Sequence, residues 1–188
     1  VMTGREHQRH SDDEPRAYGK VKLEVKNLST RELPDPVSLA CHSGEILGVA
    51  GLSGSGRSEL LHAMFGFGLE RNGRVILYDS EQRSEAQVEI NSPSEAVKNG
   101  IGLIAEDRKT QGIFANQMLS MNVTVAALGK LGNGLNALFP HREKERTKQL
   151  ISSLKIKCLG PTQPIERLSG GNQQKTLFAR WLDVGASV

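Results

Sequence analysis

The hydrophobic rhythm of the chain changes several times, and each change marks an element. Residues 5–20, REHQRHSDDEPRAYGK, are polar and charged with almost no aliphatic side chain. Such a stretch cannot bury enough apolar surface to offset its ordering entropy, so a linker is expected. VKLEVKNLS (21–29) then alternates apolar and polar positions, the period of a half-buried strand. VSLAC (37–41) predicts a second strand, closed by a turn at Ser43 and Gly44. EILGVA (45–50) is a short apolar run, expected as a strand, that leads straight into a glycine-rich loop. RSELLHAMFG (57–66) places Leu60, Leu61, Met64 and Phe65 on one helical face, with Gly66 as the stop.

The second half reads differently. GRVILYDS (73–80) predicts a strand, and SPSEAVKNG (92–100) a helix with Ser92 as N-cap, Pro93 at its first position and Gly100 as its end. IGLIAED (101–107) reads as a buried strand that emerges into two carboxylates. From about 108 to 167 strand signals disappear. LSMNVTVAAL (119–128) and HREKERTKQLISSLKI (141–156) look helical around the turn GKLGNGLN, and SGGNQQKTLFARWL (169–182) is a glycine-led helix. The order predicts an α/β domain with an inserted helical subdomain over about 108–170.

Composition narrows the classes. A length of 188 residues suits one domain with a real core. The balance of 24 basic against 21 acidic residues leaves +3, and no basic block with interleaved aromatics appears, so no nucleic-acid partner is expected. No apolar run approaches the roughly 20 residues that cross a bilayer, and the first residues carry no charged-then-apolar leader pattern. Work at a membrane would therefore need a separate spanning partner. Cys41 and Cys158 form no C-x-x-C pair and suit a reducing compartment, with a disulfide between them left open. His7 and His10 fall in the polar stretch and read as solvated side chains.

The loop GLSGSGRS supplies the first chemistry. Gly51, Leu52, Ser53, Gly54, Ser55, Gly56, Arg57 and Ser58 follow the phosphate-loop pattern G-x-x-x-x-G-K-[ST], except that Arg57 stands where Lys is usual. Glycines let successive N–H groups curl around phosphate oxygens, and the following helix turns its positive end toward them. Ser58 falls where a hydroxyl would hold Mg²⁺. Arg is longer, planar and forked, so a tight Lys site accepts it poorly. The expectation is retained binding with impaired catalysis.

RLSGGNQQK (167–175) is the second piece. Gly170 and Gly171 open a helix whose first N–H groups are free, and Ser169 adds a hydroxyl, so a second anion-binding end is expected to face outward. A phosphate loop followed more than a hundred residues later by LSGG-x-Q resembles the ATP-binding cassette family. GEILGVAGLSGSGRSELL, EDRKTQGIF and LSGGNQQK together resemble the second cassette of bacterial monosaccharide importers of the ribose, galactose, xylose and arabinose type. The resemblance runs from about residue 19 to the end, and MTGRE (2–5) is similar to the tail of a first cassette, making residues 1–18 an inter-cassette linker.

What the resemblance implies is specific. The fold would be that of a P-loop NTPase, here an ATP-binding cassette over 19–188. Gly51 to Ser58 would be the Walker A loop for ATP and Mg²⁺, with Ser58 the metal ligand. Leu168, Ser169, Gly170, Gly171, Asn172 and Gln173 would be the signature that completes the ATP site of a partner cassette. Glu106 falls where cassettes usually carry the Gln that senses the γ-phosphate and couples to the membrane subunit. Cassettes usually stack adenine on an aromatic after the first strand. Here none stands between Tyr18 and Phe65, which implies weak binding of the base. The family's Asp-Glu strand and switch His would follow Val188, so the chain is expected to lack the cassette's C-terminal part and any catalytic carboxylate, and to be inactive alone.

Implied partners are the first cassette of the same polypeptide, the transmembrane permease and, indirectly, a periplasmic sugar-binding protein. The implied location is the cytoplasmic face of the inner membrane. The alternative is a soluble, non-transport cassette ATPase of DNA repair or translation, whose usual coiled coils and basic extensions are not seen in these residues. A P-loop kinase or guanine-nucleotide switch is a third reading, for which the N/T-K-x-D motif is missing.

Overall fold

A computed structural model of the chain describes residues 17–78, 87–128 and 140–188. The polar stretch 1–16 and the turn 129–136 lie outside them. Four strands form one antiparallel sheet in the order β2-β1-β3-β4: β1 (Val21–Ser29), β2 (Val37–His42), β3 (Asn72–Tyr78) and β4 (Gln87–Glu89). The alternation read in 21–29 sets the register, with Leu23 and Val25 buried opposite Leu77 and Val75 of β3. A bulge interrupts β1 at Asn27, whose backbone is left-handed, and its N–H donates to Ser38 Oγ at 2.8 Å. Gly73 opens β3 at φ 78, and a side chain there would overlap the carbonyl oxygens of Lys26 and Asn27. β4 was not legible as a strand because its three residues, Gln-Val-Glu, carry one apolar position.

Helix α1 (Arg57–Met64) lays Leu60 and Ala63 on this sheet, joined by Phe65 and by Leu33 from the β1–β2 connection. Helix α2 (Pro93–Lys98) follows its predicted caps: Ser92 Oγ accepts from the Glu95 N–H at 3.3 Å, and Glu95 Oε2 accepts from the Asn91 N–H at 2.8 Å. A second core is purely helical. Leu119 and Val123 of α3 (Leu119–Thr124), Leu150 of α4 (Pro140–Ser153), Ile156, Ile165, Leu168 and Ala179 close around each other. Helix α5 (Gly170–Val184) belongs to both cores, because Ala179 sits in the helical one while Trp181 meets Phe65 edge-on at 5.9 Å on the sheet side. Both cysteines are free thiols.

Two expected strands are absent. Residues 45–50 have no neighbouring strand among the described residues, and Ile46 is 92% exposed. A strand is stable only where another satisfies its N–H and C=O groups, so the apolar run stays extended without a ladder. Residues 101–105 fare similarly. Ile101 is buried, but among the described residues the only strand-like bonds at this segment join Gly100 and Gly102 to Ser187 and Val188, and Ile104 remains partly exposed.

Candidate phosphate and cation site

The glycine-rich loop takes the form its composition predicts. Gly54 and Gly56 both adopt left-handed φ, at 79° and 84°, and Gly56 is the N-cap of α1. A side chain at Gly51 would collide with Ser55, so the loop closes tightly on itself. The Ser55 N–H donates back to the Leu52 carbonyl at 3.1 Å. No side chain caps α1, so its first-turn N–H groups, from Arg57 to Glu59, point out of the helix end without an intrahelical acceptor. Gly51, Leu52, Ser53, Gly54, Ser55 and Arg57 are exposed, while Gly56 and Ser58 are half-buried. Leu33 packs against Gly56 from behind and holds the loop to the sheet.

Ser58 and Glu106, 48 residues apart, meet. The Ser58 hydroxyl donates to Glu106 Oε2 at 2.8 Å. A hydroxyl and a carboxylate oxygen side by side are the hard donors that Mg²⁺ prefers, and nucleotide phosphates would supply more of its shell. Among the described residues no group of three or more His, Cys, Asp or Glu could hold a metal ion by itself. The residues present therefore fit a phosphate-borne cation rather than an all-protein cage.

The segment after Glu106 reaches the other predicted site. Asp107 caps a π-helical turn, Arg108–Gly112, accepting from the Lys109 N–H at 2.9 Å. Hydrogen bonds from Thr110 and the Lys109 N–H hold its carboxyl below the usual aspartate range. Arg108 then lays its guanidinium on the start of α5, with Nη2 2.5 Å from where a Gly170 Cβ would stand. Glu106 thus touches the phosphate loop and Arg108 the glycine-led helix, with only Asp107 between them. Arg108 was missed in the sequence because nothing in the string EDRK ties it to a glycine 62 positions later.

At that helix, Ser169 and Gly171 are exposed, and Gly170 and Asn172 are half-buried. Ser169 is the N-cap, yet its hydroxyl caps nothing in its own helix, and the first turn carries no acidic residue. Leu168 and Gln173 depart from the expectation that they contact nucleotide. Leu168 is buried in the helical core, and the Gln173 amide donates inward to the Ile165 carbonyl at 3.2 Å. Leu168 precedes the helix in extended backbone and packs into the helical core, while Gln173, two positions after exposed Gly171, falls on the opposite, inner face of α5. Both anchor the turn that presents the outer residues.

A family model described as ABC transporter matches residues 34–188. The chain is 36% identical over 182 residues to a ribose import ATP-binding protein of Caldanaerobacter subterraneus subsp. tengcongensis, covering 97% of this chain and 36% of that protein. It is 37% identical over 165 residues to a galactose/methyl galactoside import ATP-binding protein of Photobacterium profundum, covering 87% and 32%. The chain thus spans about a third of the length of these relatives. Its fold is similar to that of an ABC transporter's ATP-binding cassette solved in the ADP conformation, with TM-score 0.64 at 20% identity, over 88% of this chain and 66% of that one. A dimeric cassette solved in a post-hydrolysis state with ADP and Pi matches at TM-score 0.62, also at 20% identity, over 87% and 70%. Matched by the family model over residues 34–188 and by relatives over nearly its full length, the chain belongs to the ABC transporter family of ATP-binding cassettes.

Proposed function

We propose that this chain is the second ATP-binding cassette of a two-cassette protein that powers bacterial monosaccharide import. The observation that carries the reading is the segment 106–108, which joins the phosphate loop through Ser58 and the signature helix through Gly170. The ribose and galactoside import relatives support the choice of sugar uptake. In this reading the loop 51–58 holds ATP phosphates on α1, and Mg²⁺ sits against Ser58 and Glu106. Ser169, Gly170 and Gly171 complete the ATP site of the first cassette. Arg57 is exposed and reaches phosphate as a fork rather than as a compact ammonium, so the chain's own loop grips nucleotide weakly.

The permease side follows from the same segment. Beside it lies an open cavity of about 490 Å³, lined by Phe65, Leu103, Gln111, Leu177, Arg180 and Trp181 among others. Arg180 Nη2 and Trp181 Nε1 are buried there without a hydrogen-bond partner among the described residues. A permease segment docked in this groove would feel any movement of Glu106. Among the described residues no helix is long and apolar enough to cross a membrane. In this reading the chain sits peripherally, on the cytoplasmic face. The periplasmic sugar-binding protein would act on the permease from the other side.

The test is calorimetric titration of the purified chain with Mg-ATP, followed by sugar uptake in vesicles holding the full-length protein and its permease. Weak binding by the chain, and uptake abolished by changes at Ser169 or Gly171, are expected. A sub-micromolar constant for the chain would overturn the weak-grip reading. Uptake indifferent to the signature helix would overturn the role given to it.

A further inference from the structure

Asn172, third residue of α5, is tied at both ends of its amide. Its Oδ1 accepts from the Lys157 backbone N–H at 2.9 Å, and its Nδ2 donates to Ser169 Oγ at 2.8 Å. A backbone N–H can only donate, so the Lys157 bond settles which way round the amide stands. Turned over, the amide would set its NH₂ against that N–H. Nδ2 must therefore face the serine, and Ser169 Oγ must accept.

The consequence lies in the hydroxyl proton. An N-cap serine ordinarily spends its oxygen on an N–H of its own first turn. Ser169 does not, and no side-chain cap closes α5. Since Asn172 is an NH₂ donor, the Ser169 O–H cannot point toward it and rotates to the exposed side. There it lies beside the Gly170 and Gly171 N–H groups, which have no intrahelical acceptor. None of these three donors meets an acceptor among the described residues.

We infer that Asn172 is a positioning residue, which fixes the Ser169 hydroxyl as a donor to the phosphate presented by the partner cassette. The inference rests on the function proposed above for the signature helix. The short amide of Asn172 reaches back to the N-cap oxygen while still meeting Lys157. This role separates Asn172 from Leu168 and Gln173, which serve the packing.

A double-mutant cycle tests it in the full-length protein with its permease in vesicles. Affinity for a non-hydrolysable ATP analogue and the kcat and KM of ATP hydrolysis would be read for Ser169→Ala, Asn172→Ala and the pair. A hydrogen bond to a charged group predicts a loss of roughly tenfold to a hundredfold for Ser169→Ala. Asn172→Ala leaves the hydroxyl in place but free among three rotamers, so it should lose roughly threefold alone and nothing measurable once Ser169 is Ala, the non-additivity of residues acting through one group. Additive losses, or a neutral Asn172→Ala beside a damaging Ser169→Ala, would overturn the inference and leave the helix-end reading standing. A neutral Ser169→Ala would overturn that reading, and the inference with it. Melting of each variant controls for folding. If Asn172→Ala fails to fold, Asn172→Asp replaces it, because its Oδ1 still accepts from Lys157. The coupling must then persist, with a larger loss beside Ser169 than beside Ala.

Discussion

Gly171→Asp separates stability from function at the signature helix, because the two should move in opposite directions. Nothing lies within 4 Å of a Cβ added at Gly171, and its φ is not positive, so the new side chain fits without strain. The first turn of α5 has no acidic residue to meet its positive end. A carboxylate there is worth about 0.3–1 kcal/mol, and relief of a helical glycine adds a few tenths more. For a domain of this size the melting temperature should rise by about 2–4 °C. The same carboxylate, roughly 4 Å from a phosphate docked on Gly170 and Gly171, costs about 1 kcal/mol in water-like surroundings and about 4 kcal/mol at a partly desolvated interface. Affinity of the full-length protein for an ATP analogue should fall roughly fivefold to a thousandfold. Gly170 offers no equivalent position, since Arg108 occupies the space its side chain would need. Calorimetric melting of the chain and equilibrium binding to the full-length protein check the two halves. A lowered melting temperature would show that the helix end is not open. A raised one with unchanged affinity would show that no phosphate reaches it.

Four further outcomes are expected. Arg57→Lys should tighten Mg-ATP binding to the isolated chain by about tenfold if the fork is the defect, and an unchanged calorimetric constant would place the defect elsewhere. Glu106→Gln should make nucleotide binding less dependent on divalent cation, because Ser58 would then face a neutral amide instead of a carboxylate. Titrations with and without Mg²⁺ that give the wild-type ratio would sink this. Gly73→Ala should destabilise the sheet by at least about 2 kcal/mol, through a left-handed backbone and overlap with two carbonyl oxygens, and near-wild-type urea unfolding would contradict it. Asp107 is held below its ordinary range by Thr110 and the Lys109 N–H. Its cap should therefore be fully present above the unfolded-state pKa and be lost only as pH falls through the lower folded value. A carboxyl NMR titration at or above the usual aspartate value would refute that.

Local chemistry was readable from the string alone. The loop 51–58 needs glycines wherever its backbone turns left-handed or closes on itself, and those demands are met by adjacent residues. The caps of α2 are satisfied within five residues, so Ser92, Pro93 and Gly100 announced them. The alternation in 21–29 reflects one buried face, and it gave β1 directly. Tertiary structure alone decided the rest. Whether the apolar runs 45–50 and 101–105 become strands depends on a neighbour to complete their hydrogen bonds, which composition cannot supply. The meeting of Ser58 with Glu106, and of Arg108 with Gly170, joins positions 48 and 62 residues apart, and side-chain proximity at that separation has no local signal. Periodicity placed the signature on a helix, but only packing against Ile165 and the helical core turned Leu168 and Gln173 inward and left Ser169 and Gly171 facing out.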